Sequence, residues 1–177
     1  MPKDSSHLSE IKMGSHSGTH IDAPKHSIKK GKELSDLPIE AFMGPCRVLD
    51  FSSELIEITK KSLEKKNIIE GERILAKTRN SEVGFATFRE DYIYLSGDGA
   101  DYLAKLDITL FGIDYISIKQ RGSKDNRPHT SLLSKNIPII EGLNLKNVKE
   151  GEYFLSAAPL SFQGIEAAPC RALLLNF

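Results

Sequence analysis

The sequence predicts a single mixed α/β domain that spans residues 1–177. Apolar residues fall in short β-branched runs bounded by Gly, Pro or Asn, and such runs favour strands over helices. Segments with helix-like apolar spacing lie between several of these runs. A chain of 177 residues with 40% apolar residues can bury one sizeable core, and no internal repeat or Gly/Ser-rich linker divides it. We therefore expect one domain with strands and helices interleaved.

Five runs are predicted to form strands, and three segments between or beside them are predicted to form helices. The strands are expected at 46–51, 73–78, 108–113, 137–140 and 170–175. The helices are expected at 55–67, at 99–106 and from Pro128 to about Lys135. Proline suits the start of the third helix because its missing N–H would have no partner in the first turn.

The balance of charge excludes two classes of partner. The chain has 24 Lys and Arg against 24 Asp and Glu, whereas binding to nucleic acid or an anionic membrane depends on an excess of clustered cations. The longest run free of charged residues, 153–165, has 13 residues, fewer than the ~20 that a spanning helix needs. We expect a protein that acts on a small molecule, with no nucleic-acid or membrane partner.

The N-terminal residues and the cysteines indicate the compartment. The first seven residues lack the apolar core of a secretory signal. Cys46 and Cys170 lie far apart beside apolar runs, so we expect reduced core thiols in a cytoplasmic protein. A disulfide between these two cysteines remains an alternative if their strands are neighbours.

The strongest functional signal is the segment 16–26, HSGTHIDAPKH. On a strand, alternate side chains share a face, which would place His16, Gly18, His20 and Asp22 together. In a straight strand His20 and Asp22 would be about 7 Å apart, but His16 and His20 about 13 Å apart. For His16 to reach the same ion, the chain must bend at residues 17–18, which a glycine permits.

Two further places add polar groups. Pro24 ends the predicted strand, so His26 falls on a turn, where a neutral imidazole could act as base and then acid without binding metal. His129 and Glu141 follow in the C-terminal half, 12 residues apart. Taken singly, His129 would usually be a surface or capping residue and Glu141 a solvated turn residue.

Counted together, the chain offers five candidate metal ligands: His16, His20, Asp22, His129 and Glu141. Nitrogen and oxygen donors of these types suit zinc or manganese. A closed structural zinc site needs only four ligands and is usually rich in cysteine. Five ligands with one carboxylate able to bridge fit a hydrolytic centre with two divalent ions better.

The segment 16–26 resembles the signature His-x-Gly-Thr-His-x-Asp-x-Pro-x-His of the cyclase family that includes bacterial kynurenine formamidase and isatin hydrolase. Every fixed position of that signature is present. The likeness continues at 112–114, at His129, at 141–143 and at 168–171. It covers nearly the whole chain.

The resemblance implies a role for each site residue. His16, His20 and Asp22 would hold one ion. Asp22, His129 and Glu141 would hold the second, with Asp22 as the bridge. His26 would match the catalytic acid/base histidine of the family.

The resemblance also implies a fold and an activity. The fold would be of the swivelling β/β/α type, with a barrel-like mixed sheet flanked by helices. The activity would be that of a metal-dependent amidohydrolase with two divalent ions, zinc first and manganese second. Its leading reaction would be that of an arylformamidase, which converts N-formylkynurenine to kynurenine. The assembly would be a homo-oligomer, either a dimer or a tetramer.

Two departures from the family pattern keep alternatives open. Family members carry a longer N-terminal segment with a loop that helps to form the substrate pocket, whereas 15 residues precede His16 here. Lys119 stands where the family often has a second aspartate. Phe85, Phe88 and Tyr92 could line the pocket. The alternatives are a cyclic amide or lactone hydrolase, a lyase on the same centre, and a metal-stabilised binding or assembly protein without catalysis.

Overall fold

The structure is a computed structural model that describes residues 6–84 and 87–176. Within these ranges it contains ten strands, four α-helices and three short 3-10 helices. The strands are β1 (His20–Asp22), β2 (Met43–Asp50), β3 (Glu57–Ile58), β4 (Arg73–Lys77), β5 (Tyr94–Leu95), β6 (Leu110–Ile113), β7 (Ile139–Glu141), β8 (Gly151–Ser156), β9 (Ala167–Pro169) and β10 (Leu173–Leu175). The α-helices are α1 (Lys60–Glu64), α2 (Asn80–Val83), α3 (Gly97–Lys105) and α4 (Arg127–Leu133). The 3-10 helices are Pro24–His26, Leu34–Asp36 and Ile39–Ala41.

Eight of the strands form one mixed sheet that curls into a half-barrel, in the order β10-β8-β2-β4-β6-β7-β1-β9. The four central strands, from β2 to β7 in this order, are parallel, and the outer strands pair antiparallel with their neighbours. β3 and β5 form a separate parallel pair. The predicted mixed α/β class with a barrel-like sheet is confirmed.

The central strands bury both of their faces. In β4, Ile74 and Ala76 enter a core that also holds Leu63 of α1 and Leu103 of α3. Leu75, between them in the sequence, enters the opposite core. Parallel strands that are covered on both faces are expected to read as continuous apolar runs, as Ile74, Leu75 and Ala76 do.

The five predicted strands and three predicted helices are present, with shifted ends. The largest shift concerns the helix expected at 55–67, which shortens to Lys60–Glu64. Leu55 and Ile56 are exposed, so they do not form the apolar face that a longer helix would need. β3, β5, α2, β8 and β9 were not expected from the sequence. β8 and β9 are defined by their backbone pairing rather than by their side-chain pattern.

Cys46 is buried, Cys170 is half-buried, and both are free thiols. This agrees with the expectation of reduced core cysteines. Burial raises the pKa of the Cys46 thiol to about 11. No helix within residues 6–84 and 87–176 combines the length and the apolar character that crossing a membrane requires.

Candidate metal centre

The position of β1 between β7 and β9 brings distant parts of the chain together. β1 pairs antiparallel with β7, and His20 lies directly opposite Glu141. Directly opposed residues in an antiparallel pair have Cβ atoms about 4.5–5.5 Å apart. The register of the sheet alone therefore places the glutamate beside the histidine, although 121 positions separate them in the sequence.

The chain bends just before β1. The strand covers only His20–Asp22, so the expectation that residues 16–22 form one continuous strand face is wrong, and His16 lies in a turn. Gly18 has φ +64°, and the ring centroids of His16 and His20 are 4.9 Å apart. The predicted bend at residues 17–18 is confirmed, because it brings the two imidazoles far closer than a straight strand would.

A second glycine makes room for this bend. Gly142, directly after β7, has φ +73°, and a Cβ built on it would lie 2.6 Å from the carbonyl oxygen of Gly18. The Thr19 hydroxyl donates a hydrogen bond of 2.6 Å to the Gly142 carbonyl. The turn after Glu141 and the bend before His20 are thus in backbone contact, and a side chain at position 142 would separate them.

All five predicted ligands converge in one cluster. His16 Nδ1 lies 2.9 Å from Asp22 Oδ1. His20 Nε2 lies 3.4 Å from Asp22 Oδ1 and 3.4 Å from Glu141 Oε2. His129, in the first turn of α4, places Nε2 3.4 Å from Glu141 Oε1 and 3.8 Å from Asp22 Oδ2.

His26 joins the same cluster from the 3-10 helix Pro24–His26. Its Nε2 lies 4.0 Å from Asp22 Oδ2, and its ring centroid is 4.5 Å from that of His16 and 5.3 Å from that of His129. The side chain of His26 is 30% exposed, whereas that of Asp22 is fully buried. His26 therefore lies at the solvent side of the cluster.

Two sets of three residues offer ligand atoms that all lie within 4.8 Å of one another, namely His16, Asp22 and His26, and His20, Asp22 and Glu141. Asp22 belongs to both sets, as a bridging carboxylate would. The grouping differs from the one that the family resemblance implies, because His26 stands with His16 in the first set. Distances alone thus allow His26 to act either as a ligand or as an acid/base group.

The cluster fits a divalent cation because its buried acceptors lack other partners. His20 Nε2 and both carboxylate oxygens of Asp22 are buried and have no hydrogen-bond partner among the described residues. The 2.9 Å contact with His16 does not have hydrogen-bond geometry. An unpaired buried carboxylate costs several kcal/mol. Nitrogen and oxygen donors around it are the ligands that zinc and manganese prefer.

The protonation of the metal-free cluster follows from its charges. The nearby Asp22 carboxylate raises the pKa of His16. Burial lowers the pKa of His20, but contacts with Glu141 and Asp22 outweigh it, so the pKa is raised. Burial also lowers the pKa of His26, and this effect is larger than the opposite effect of the Asp22 charge. In the absence of metal the pKa values of His16 and His20 are thus shifted upward, and that of His26 is shifted downward.

The pKa of the Glu141 carboxyl group is lowered, in contrast to the raised pKa values of His16 and His20. Burial raises the pKa of its carboxyl group, but the imidazoles of His129 and His20 outweigh burial and lower it. The backbone N–H of Ile118 donates a hydrogen bond of 2.7 Å to Glu141 Oε1. The carboxylate is thus held in its charged form and in one orientation.

The ammonium group of Lys119, next in the chain after Ile118, donates to the side chain of Asn126, which precedes α4.

Glu166 is a site residue that sequence analysis missed. Its Oε1 lies 3.4 Å from His16 Nε2 and accepts a hydrogen bond of 2.6 Å from the Ser15 hydroxyl. That hydrogen bond is the main cause of the lowered pKa of Glu166. The available signal was its place two positions before residues 168–171, which match the family.

The aromatic residues expected to line a pocket, Phe85, Phe88 and Tyr92, do not share one environment. Phe85 lies outside the described residues. Phe88 is 38% exposed, whereas Tyr92 is 3% exposed and Tyr115 is 1% exposed. The rings of Tyr92 and Tyr115 stack with centroids 4.1 Å apart. Tyr92 therefore packs inside the protein rather than facing an open pocket.

Comparison with known proteins gives consistent results. A family model described as Putative cyclase matches residues 2–120. The kynurenine formamidase of Salinibacter ruber is 33% identical over 97% of this chain and 81% of its own length. A solved structure described as a potential metal-dependent hydrolase with cyclase activity superposes with a TM-score of 0.88 at 41% identity, covering 93% of this chain and 81% of that one. Isatin hydrolase A from Ralstonia solanacearum superposes with a TM-score of 0.82 at 26% identity, covering 97% and 76%.

Proposed function

The chain belongs to the Putative cyclase family, and from that premise we propose that it hydrolyses a small-molecule amide, with N-formylkynurenine as the leading substrate. The observation that carries the proposal is the buried, unpartnered Asp22 carboxylate surrounded by four imidazoles. The similarity to kynurenine formamidases supports the formamide as substrate. The reaction adds water to the formyl carbon and releases formate and an aromatic amine.

We propose that His16, His20 and Asp22 hold one divalent ion and that Asp22, His129 and Glu141 hold another. The distances among these residues are short, and the two sets of ligand atoms described above have Asp22 in common. Both observations support two ions that share Asp22. Zinc is the first expectation and manganese the second, because imidazole and carboxylate donors suit both. When bound, such ions lower the pKa of a water molecule toward neutrality and polarise a carbonyl group.

In this proposal His26 moves the proton. Its side chain reaches solvent, and burial lowers its pKa below the usual value, so that Nε2 is free to accept a proton at neutral pH. The same nitrogen can then return the proton to the leaving amide nitrogen, which must be protonated before the C–N bond breaks. Asp22, His16 and His129 surround this ring and fix its position.

A substrate panel tests the activity. The protein loaded with zinc or with manganese is incubated with N-formylkynurenine, with isatin as a cyclic amide, and with a lactone. We expect chelator-sensitive turnover that is fastest for the formamide. Faster turnover of isatin would replace the leading substrate with a cyclic amide, the second candidate, which the likeness to isatin hydrolases favours. Two bound ions without turnover of any panel member would indicate the metal-stabilised binding protein.

The substitution His26→Ala separates the two possible roles of this residue. As acid/base group, its loss should lower kcat by about 10²- to 10⁴-fold and leave the metal content unchanged. The matched control is His7→Ala, because His7 is exposed and lies outside the cluster. Loss of metal in the His26 variant, measured by elemental analysis, would make His26 a ligand instead.

We also propose that the protein works in the cytoplasm as a homo-oligomer, either a dimer or a tetramer. Two free cysteines fit a reducing compartment. Leu8 and Ile11, near the N-terminus, are 84% and 77% exposed, as expected of side chains that pack against another subunit. Light scattering should give twice or four times the chain mass of 19.7 kDa, and a monomer would contradict the proposal.

A further inference from the structure

We infer that Glu166 is a positioning residue whose carboxylate accepts the Nε2–H of His16 and so turns the Nδ1 of that ring toward the metal. The inference rests on the metal site of the proposed function. It concerns which nitrogen of His16 binds and what holds the ring in place.

The two nitrogens of His16 face different groups. Nδ1 lies 2.9 Å from Asp22 Oδ1, on the side of the cluster. Nε2 lies 3.4 Å from Glu166 Oε1, away from it. A neutral imidazole has one donor and one acceptor nitrogen, so a proton on Nε2 leaves the Nδ1 lone pair free for a metal ion.

His20 provides an internal comparison with the opposite arrangement. Its Nδ1 lies 3.0 Å from the Gly18 carbonyl oxygen, and its Nε2 lies 3.4 Å from both Asp22 and Glu141. Each of the two rings thus has one nitrogen in the cluster and the other beside an anchoring oxygen. Metal-binding histidines almost always donate their second N–H to a carboxylate or a carbonyl group in this way.

His16 needs such an anchor more than His20 does. His20 lies in β1, where pairing with both neighbouring strands fixes the backbone, whereas His16 lies in the turn before it. Glu166 ties that turn to the sheet, because the Ser15 hydroxyl donates to the same carboxylate at 2.6 Å.

The backbone on which Glu166 sits is itself held in place. The Glu166 carbonyl accepts a hydrogen bond of 2.8 Å from Ala23 N, directly after β1, and the Ile165 carbonyl accepts one of 3.1 Å from Leu34 N. Its carboxylate therefore starts from a fixed point next to the strand that carries two of the proposed ligands. A small rotation of the His16 ring closes the 3.4 Å contact to a hydrogen bond.

Metal affinity tests the inference directly. Zinc binding is measured by competition with a chromophoric chelator for the wild type, Glu166→Ala, Glu166→Gln and the control Glu152→Ala, an exposed glutamate on β8. We expect Glu166→Ala to weaken binding of one ion by about 10- to 100-fold. Glu166→Gln should lose less, because its amide oxygen still accepts the N–H although as a neutral group. The control should bind as the wild type does.

The tautomer of His16 gives a readout that a merely structural role would not move. In the zinc-loaded wild type, two-bond ¹H–¹⁵N correlations of the ring should show His16 protonated at Nε2 and His20 protonated at Nδ1. His16→Ala and His20→Ala spectra assign the signals. This measurement needs no Glu166 variant, so it stands even if Glu166→Ala does not fold.

Each contrary outcome has a definite meaning. His16 bound through Nε2, or Glu166→Ala with wild-type affinity, would overturn the inference. Loss of one whole ion from both Glu166→Ala and Glu166→Gln would also overturn it, because Glu166 would then be a ligand. A wild-type protein that binds no metal at all would overturn the proposed function as well. An intact wild-type site with an unaffected Glu166→Ala variant would overturn this inference alone.

Discussion

Two buried aspartates in this protein have opposite surroundings. Asp22 ends β1, Asp114 directly follows β6, and both are 0% exposed. Both oxygens of Asp114 accept hydrogen bonds, from the backbone N–H of Thr78 at 2.8 Å, from its hydroxyl at 2.7 Å and from the backbone N–H of Ser81 at 3.2 Å. Neither oxygen of Asp22 has a hydrogen-bond partner among the described residues, although imidazoles surround it.

The difference distinguishes a structural carboxylate from a functional one. Removing a carboxylate from water costs several kcal/mol unless hydrogen bonds or opposite charges offset the loss. At Asp114 the chain supplies its own donors, which join the end of β4 to the end of β6. At Asp22 the chain supplies nitrogens that can share a cation with the carboxylate. Burial is therefore a poor guide to function on its own, and the partners of the buried group decide.

The substitution Asp22→Asn should have the largest effect on activity. It removes the carboxylate that both proposed ions share, so we expect loss of bound metal and a fall in kcat of at least about 10³-fold. The metal-free protein should keep its free energy of unfolding to within about 1 kcal/mol, because the substitution removes both the cost of burying the charge and the attraction of that charge to the imidazole of His16. Elemental analysis, kinetics and denaturation in chelator measure the three quantities. A strongly destabilised metal-free variant would mean that Asp22 is a structural residue as well.

The substitution Asp114→Asn should have the opposite profile. An amide cannot accept all three hydrogen bonds, and at least one buried N–H loses its partner, so we expect a loss of about 2 kcal/mol. For a domain of this size that corresponds to a fall in Tm of roughly 4–8 °C. The number of bound ions should stay the same. Loss of metal without loss of stability would erase the contrast with Asp22.

Sequence reasoning identified the candidate ligands because their types cluster along the chain. His16, His20 and Asp22 lie within seven positions, and the bend at Gly18 follows from the distance that a straight strand would impose. What the pattern did not contain is the pairing of β1 with β7 and β9, which brings Glu141 and Glu166 to the cluster. Register between distant strands depends on the whole sheet and not on any local spacing.

The same limit applies to the two aspartates. Both follow an isoleucine next to a strand, and both stretches match the family pattern, so they look alike in the sequence. The donors that satisfy Asp114 come from residues 33 and 36 positions away. Only the tertiary structure shows that one carboxylate receives donors and the other does not. Tyr92 was misplaced for a similar reason, since an aromatic side chain suits a core as well as a pocket.

A smaller effect should appear in the pH dependence of stability. Without metal, the pKa values of His16 and His20 are raised above the ordinary 6.5. Their contribution to stability is therefore complete below pH 6.5 and is lost as the pH rises through the raised values. His26, whose pKa is lowered, acts in the opposite direction, so with two raised pKa values against one lowered value we expect a net loss of stability between pH 6 and pH 8.

The metal-loaded protein should show the reverse trend. Ligating imidazoles must be neutral, so metal binding releases protons and stabilises the fold more as the pH rises. Urea denaturation at pH 6, 7 and 8, with chelator and with saturating zinc, measures both curves. Asp22→Asn should flatten the metal-free curve, because the Asp22 carboxylate is the main cause of the raised pKa of His16, whereas Asp114→Asn should lower the whole curve without changing its slope. Parallel curves for the metal-free and metal-loaded wild type would show that these histidines do not exchange protons for metal.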